Sequence, residues 1–210
     1  MKSPAIPQAL AALAAALVSA SVAGEARAGA NFDGHWASLS CELRPQVGPQ
    51  GKLQPWYLKR DIQIRGHDLD AKFTTFADGE CKMPLWRLEF GATLREAGAW
   101  PQLSGAYKID LAVDRYTRIV PLAAGFAEFL NSPGEGTCGP LKAAVDLAQD
   151  ISKTGCKAFG LPPGATVKEV ETMMVQNGML FFAARPVDGS SPDSDEKRVF
   201  SLQVPLVSLK

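Results

Sequence analysis

Thiol and imidazole chemistry in this 210-residue sequence is confined to six side chains: Cys41, Cys81, Cys138, Cys156, His35 and His67. Four cysteines and two histidines could hold zinc, but no Cys-x-x-Cys pair is present and the histidines stand 32 positions apart, which is not the close spacing of a zinc motif. The even count reads instead as two disulfides, provided the chain is exported. Four cysteines allow three connectivities. Cys41–Cys81 with Cys138–Cys156 is the expected one, because each bond then closes a modest loop within one part of the chain. Catalysis has little to work with. No Gly-x-Ser-x-Gly elbow precedes a helix, and no phosphate loop or dinucleotide fingerprint occurs. Glu42, Asp61, Asp78 and Glu89 could pair as carboxylates, yet acidic residues on strand faces are ordinarily solvated. A lipid-acting hydrolase would need His35, His67 or Glu42 beside Ser38. The expectation is a non-enzymatic protein without metal or cofactor.

The elements that must position these residues begin after a leader. Met1-Lys2, an apolar run from Ala9 to Val18 and Ala26-Arg27-Ala28 form the pattern of a secretory signal. The run is too short for a membrane span, which takes roughly 20 residues. Cleavage after Ala28 would leave residues 29–210 as one domain, in the periplasm or outside the cell. Basic and acidic residues balance at 22 each, without a basic run, which argues against nucleic acid as a partner. No other stretch is apolar enough to span a membrane as a helix.

Period-two alternation dominates the remainder and marks strands with one buried face. It runs through Trp56–Arg65, Ala71–Ala77, Leu85–Glu96, Ser104–Val113, Arg115–Val120, Val145–Ile151, Thr166–Val175, Met179–Ala184 and Phe200–Leu206. Asn177-Gly178 is a strong hairpin signal, and Arg65-Gly66 and Asp78-Gly79 are weaker ones. One helix is expected from Pro121 to Leu130, with Phe126, Phe129 and Leu130 on one face. The sum is an all-β fold: a closed antiparallel barrel of about ten strands, lipocalin-like in general shape, with one short helix. A barrel of that size leaves room for a cavity. Its candidate walls are Phe73, Trp86, Leu88, Phe90, Tyr107, Ile109, Leu111, Met173 and Phe181. The expected ligand is a lipid or fatty-acyl chain; the alternative is a filled barrel serving as a protein-interaction module of the cell envelope. Gly34-His35-Trp36 opens the first strand as in lipocalin-type barrels, and Arg198 stands late enough to stack on Trp36; the alternative is a core Trp36 with an unrelated surface Arg198.

The C-terminal segment is more specific. Arg185-Pro186-Val187-Asp188-Gly189-Ser190-Ser191-Pro192-Asp193-Ser194-Asp195-Glu196-Lys197-Arg198 resembles the adenomatosis-polyposis-coli-down-regulated family, cell-surface inhibitors of Wnt signalling in animals. Gly34-x-Trp36-x-Ser38-x-x-Cys41-Glu42-x-Arg44-Pro45, Asp78-x-x-Cys81-Lys82-x-Pro84, Cys138-Gly139 and Gly155-Cys156-x-Ala158-x-Gly160 resemble further family segments in the same order. Arg60 matches an arginine of the family, whereas Lys59 replaces its threonine. The likeness spans Phe32 to Val207 and is greatest to the second of the two tandem barrels in animal members. It implies a closed barrel with two disulfides and an apolar pocket that accepts a lipid chain. This chain has one barrel and no C-terminal transmembrane segment, and its Ala-rich leader suggests a bacterial source without Wnt ligands. The C-terminal block has two readings, a ligand-facing loop or a structural element; the structural one is preferred, with Asp188, Ser190, Asp193 and Arg198 acting by local turns and ties to the barrel.

Overall fold

The computed structural model describes residues 30–47, 50–132, 134, 138–139, 141–164, 166–199 and 201–209. The expected leader and cleavage point lie outside the described residues. The strands are β1 (Gly34–Ser38), β2 (Glu42–Val47), β3 (Leu53–Arg65), β4 (Asp68–Phe76), β5 (Pro84–Ala99), β6 (Ala106–Pro121), β7 (Gln149–Asp150), β8 (Val167–Gln176), β9 (Met179–Phe182) and β10 (Leu206–Ser208). A helix, α1 (Ala124–Asn131), follows β6.

All pairings are antiparallel. The order β1-β10-β9-β8-β6-β5-β4-β3 returns to β1 through pairing of β3 with β1, so eight strands close the barrel. β2 and β7 stay outside the ring, which corrects the expectation of about ten closing strands. The reason is strand length. The 13 residues of β3 pair with β1 through Asp61–Ile64 and with β2 through Leu53–Leu58. β6 likewise pairs with β8 along its first half and with β7 at Arg118–Ile119.

Four further expectations are corrected. Ser104–Val113 and Arg115–Val120 are one strand: Ala92 pairs with Val113 and Gly91 with Tyr116, leaving Asp114 and Arg115 as a bulge. Val145–Ile151 is not a strand run. Asp146 sits at φ +61°, Val145 and Leu147 are exposed, and only Gln149–Asp150 pairs. Near the C-terminus, regular pairing among the described residues is limited to Leu206–Ser208, with a single bridge from Leu202 to Ala183. Phe200 lies outside the described residues. The helix starts at Ala124 rather than Pro121, which ends β6, and Phe129 is exposed while Ala127 and Leu130 are buried. Asn177 and Gly178 both adopt positive φ, as a two-residue β8–β9 hairpin requires.

Cys41 is bonded to Cys81, and Cys138 to Cys156. Two disulfides fit an oxidising compartment such as the periplasm or the cell exterior. No helix among the described residues is long and apolar enough to cross a membrane.

The barrel is filled at one end. Trp36, Ile62, Ile64, Leu69, Ile109 and Met173 pack there, and the Trp36 indole donates to the Phe32 carbonyl at 2.9 Å. A second cluster joins Trp86 and Ile119 to α1, the Cys138–Cys156 bond and the turn at Lys157–Phe159. Its Leu161 reaches the unfilled end and forms part of the cavity wall.

Candidate functional site: a cavity with an apolar wall and a charged end

The unfilled end holds a cavity of about 200 Å³ that adjoins an outer space of about 690 Å³. Arg44, Phe73, Leu88, Glu169, Arg185 and Gln203 line both. Small-molecule sites commonly measure roughly 300–1,000 Å³, so the inner part is small and the outer part lies within that range.

Alternation decides what faces inward. On β4, β5 and β6 the inward positions carry Phe73, Leu88, Phe90 and Leu111, all on the inner wall. Phe73 and Phe90 meet edge to face at 5.3 Å. The Asp114–Arg115 bulge keeps both Val113 and Thr117 pointing in. Trp86 lines the outer space and touches Trp56, Phe126 and Phe159. The other expected wall residues lie elsewhere. Ile109 and Met173 are in the filled end, and Tyr107 packs on that core against Phe32. Phe181 occupies the opposite face of β9, with Trp100 and Met174.

β2, β3 and β8 present charges to the same space. Arg60, 2 % exposed, donates from Nε to Glu42 Oε1 at 2.8 Å and from Nη2 to the Val204 carbonyl at 2.6 Å. The Ser38 hydroxyl donates to the same Glu42 oxygen at 2.5 Å. Arg185 faces Glu169 Oε2 at 2.5 Å and Glu171 Oε1 at 2.6 Å. Arg44 donates to the Gln203 side-chain oxygen and stands 3.9 Å from Glu42 Oε2. Burial and the neighbouring Arg60 guanidinium pull Arg44 down to about 10. Burial drives the Glu171 carboxyl up to about 7, against the opposing pull of Arg185.

The C-terminal block divides in two. Arg185 to Ser191 borders the cavity: Arg185, Pro186, Val187, Gly189, Ser190 and Ser191 line its outer part, and Ser191 donates to Glu169 at 3.0 Å. Within it the Asp188 carboxylate accepts from the Ser190 amide at 2.9 Å around Gly189 at φ +75°. Asp193 to Arg198 lies against the barrel wall. Lys197 pairs with Asp193 and Lys108 with Asp195, while Arg198 bonds Asp195 and the carbonyls of Ile109 and Glu171. Asp110, which faces out of the barrel beside inward Ile109, is 3.6 Å from Arg198. The expected stacking of Arg198 on Trp36 is therefore not formed, because the two residues serve opposite sides of the wall.

The pieces of a hydrolase are dispersed. Ser38 and Glu42 meet, but His35 pairs with Asp61 at 2.9 Å on the outward face of β1 and His67 occupies the β3–β4 turn. Among the described residues no group of three metal-ligating side chains converges. No family model matches the chain.

Sequence reasoning missed Glu169, Glu171 and Gln203, and singled out Arg185 only as the first residue of the C-terminal block, without a role in the cavity. For Glu169 and Glu171 the available signal was parity, which they share with inward Met173.

Proposed function

We propose that this chain is an exported, non-enzymatic barrel that binds a lipid or fatty-acyl ligand in the cavity at its unfilled end. The observation that carries the reading is the wall of Phe73, Leu88, Phe90 and Leu111, set open beyond an otherwise packed barrel. Moving an acyl chain from water onto such a wall is favourable by about 0.8 kcal/mol per CH₂. A barrel used only as an interaction scaffold has no need of this space. The resemblance to the adenomatosis-polyposis-coli-down-regulated family supports the same reading, as a single-barrel member released by signal cleavage near Ala28; the inheritance proposed is the pocket, not Wnt inhibition.

Organic extraction of protein purified under native conditions, followed by mass spectrometry, tests the proposal. Stoichiometric co-purifying lipid is the expected result. Absence of lipid, together with failure of fatty acids to displace a neutral naphthylamine probe, would refute it.

A further inference from the structure

We propose that the charged end of the cavity seats the carboxylate of a single-chain amphiphile, with Arg44 as its cation and Glu171, as the acid, as its hydrogen-bond donor. This deepens the lipid reading and rests on it.

Glu171 is nearly inaccessible to solvent. Its Oε1 faces Arg185, but its Oε2 is buried without a hydrogen-bond partner. A buried unpartnered carboxylate oxygen is costly, and so calls for a proton and an acceptor. Arg44 supplies the complementary half. Among the described residues no carboxylate lies within hydrogen-bond distance of it, because Glu42 is committed to Arg60 and Ser38. Both Arg44 and Glu171 line the inner cavity, next to Phe73 and Leu88.

Charge counting selects the head group. Inside the barrel the charges around Glu171 are Arg185 after β9, Glu169 on β8 itself, and the Arg44, Glu42 and Arg60 group from β2 and β3; Arg198, which donates to the Glu171 carbonyl, is paired on the outer side of the wall with Asp195 and Asp110. Across from it on β6, Ile109 is uncharged. With Glu171 protonated, three guanidiniums stand against two ionised carboxylates, an excess of one positive charge. A monoanion neutralises that excess; a dianion overshoots it.

The test uses four ligands with one chain length: dodecanoate, dodecan-1-ol, dodecyl phosphate and dodecyltrimethylammonium. Displacement of a neutral naphthylamine probe is measured on the full exported chain. At pH 6.5 dodecanoate should bind about tenfold to a hundredfold tighter than dodecanol, as expected for a charge-assisted hydrogen bond. Arg44→Gln should collapse that ratio toward unity, and Arg44→Lys should restore part of it. Between pH 6 and pH 8.5 the affinity for dodecanoate should fall by roughly tenfold as Glu171 loses its proton, and Glu171→Gln should abolish the fall. Equal binding of carboxylate and alcohol by the wild type would overturn the head-group seat and leave the lipid reading standing. Tighter binding of the phosphate or of the ammonium would overturn the carboxylate assignment. Binding of none of the four would overturn both readings. If Arg44→Gln fails to fold, the wild-type ratios and the Glu171→Gln pH profile still decide.

Discussion

Replacing Arg60 by Met probes the most deeply buried ion pair of the cavity. Arg60 is 2 % exposed, its Glu42 partner 4 %, and their contact is 2.8 Å. Removing the cation strands Glu42 in a site that water barely reaches, and the Val204 carbonyl also loses its donor. Breaking a buried pair costs about 3–5 kcal/mol, mostly the penalty of the abandoned charge. Glu42 keeps the Ser38 hydroxyl and a distant Arg44, so the lower limit applies, about 3 kcal/mol. For a chain of this size that corresponds to a Tm lower by roughly 6–12 °C. The double variant Arg60→Met/Glu42→Leu removes both charges and should recover most of the loss, ending within about 1–2 kcal/mol of wild type. Urea unfolding followed by tryptophan fluorescence, without reductant, reads both as shifts in midpoint at constant slope. A cost below about 1 kcal/mol for Arg60→Met, or a double variant less stable than the single, would refute the claim that this pair is desolvated.

Three more outcomes follow from the geometry. Stability should decline as pH rises from about 4.5 to about 7, because the folded state raises Glu171 from 4.5 to about 7 and so binds more protons than the unfolded chain in that window. The decline, on the order of 3 kcal/mol, should vanish in Glu171→Gln, as read by denaturant titrations at several pH values; a parallel decline in the variant would assign the effect elsewhere. Paired Cys→Ser replacement should cost about 4 kcal/mol at Cys41/Cys81 and about 3 kcal/mol at Cys138/Cys156, in line with loops of 40 and 18 residues, and the reverse ranking in urea would contradict loop closure as the cause. Gly155→Ala should be the harshest glycine replacement, at least about 3 kcal/mol, because φ is +66° and an added Cβ would lie 2.4 Å from the Leu161 carbonyl oxygen; a mild effect on thermal unfolding would show that the Gly155–Leu161 turn yields.

The all-β class, the β8–β9 hairpin and the helix after β6 were legible because each rests on a local signal. Alternation marks β3 and β8, and Asn177-Gly178 marks a turn that needs two positive φ values. The closure of the barrel was not legible. Whether β3 shares its length between two partners depends on register, which no local pattern states. The bulge at Asp114–Arg115 looked like a break between strands because it interrupts alternation. The cavity wall was half legible for the same reason. Phe73, Leu88, Phe90 and Leu111 satisfy the rule that apolar faces point in, whereas Glu169 and Glu171 reverse it and alternate with Val170, which faces the other way. Charges placed inside a barrel are the case that hydrophobic patterning reads backwards.

The split pairing of β3 also shapes how this molecule meets others of its kind. Residues Leu53–Trp56 pair with β2 alone, so the β2–β3 hairpin projects past the ring as a two-stranded arm bearing exposed Leu43 and Leu53. Such an arm offers backbone on both margins, and unpaired margins recruit strands from neighbouring molecules. Here Pro45 sits opposite Pro55, so neither chain of the arm offers an amide hydrogen at that level. Further along, the Val47 amide already donates to the Val187 carbonyl at 2.8 Å. The arm that overhangs the cavity can thus expose apolar side chains while denying a second copy a continuous ladder on which to grow.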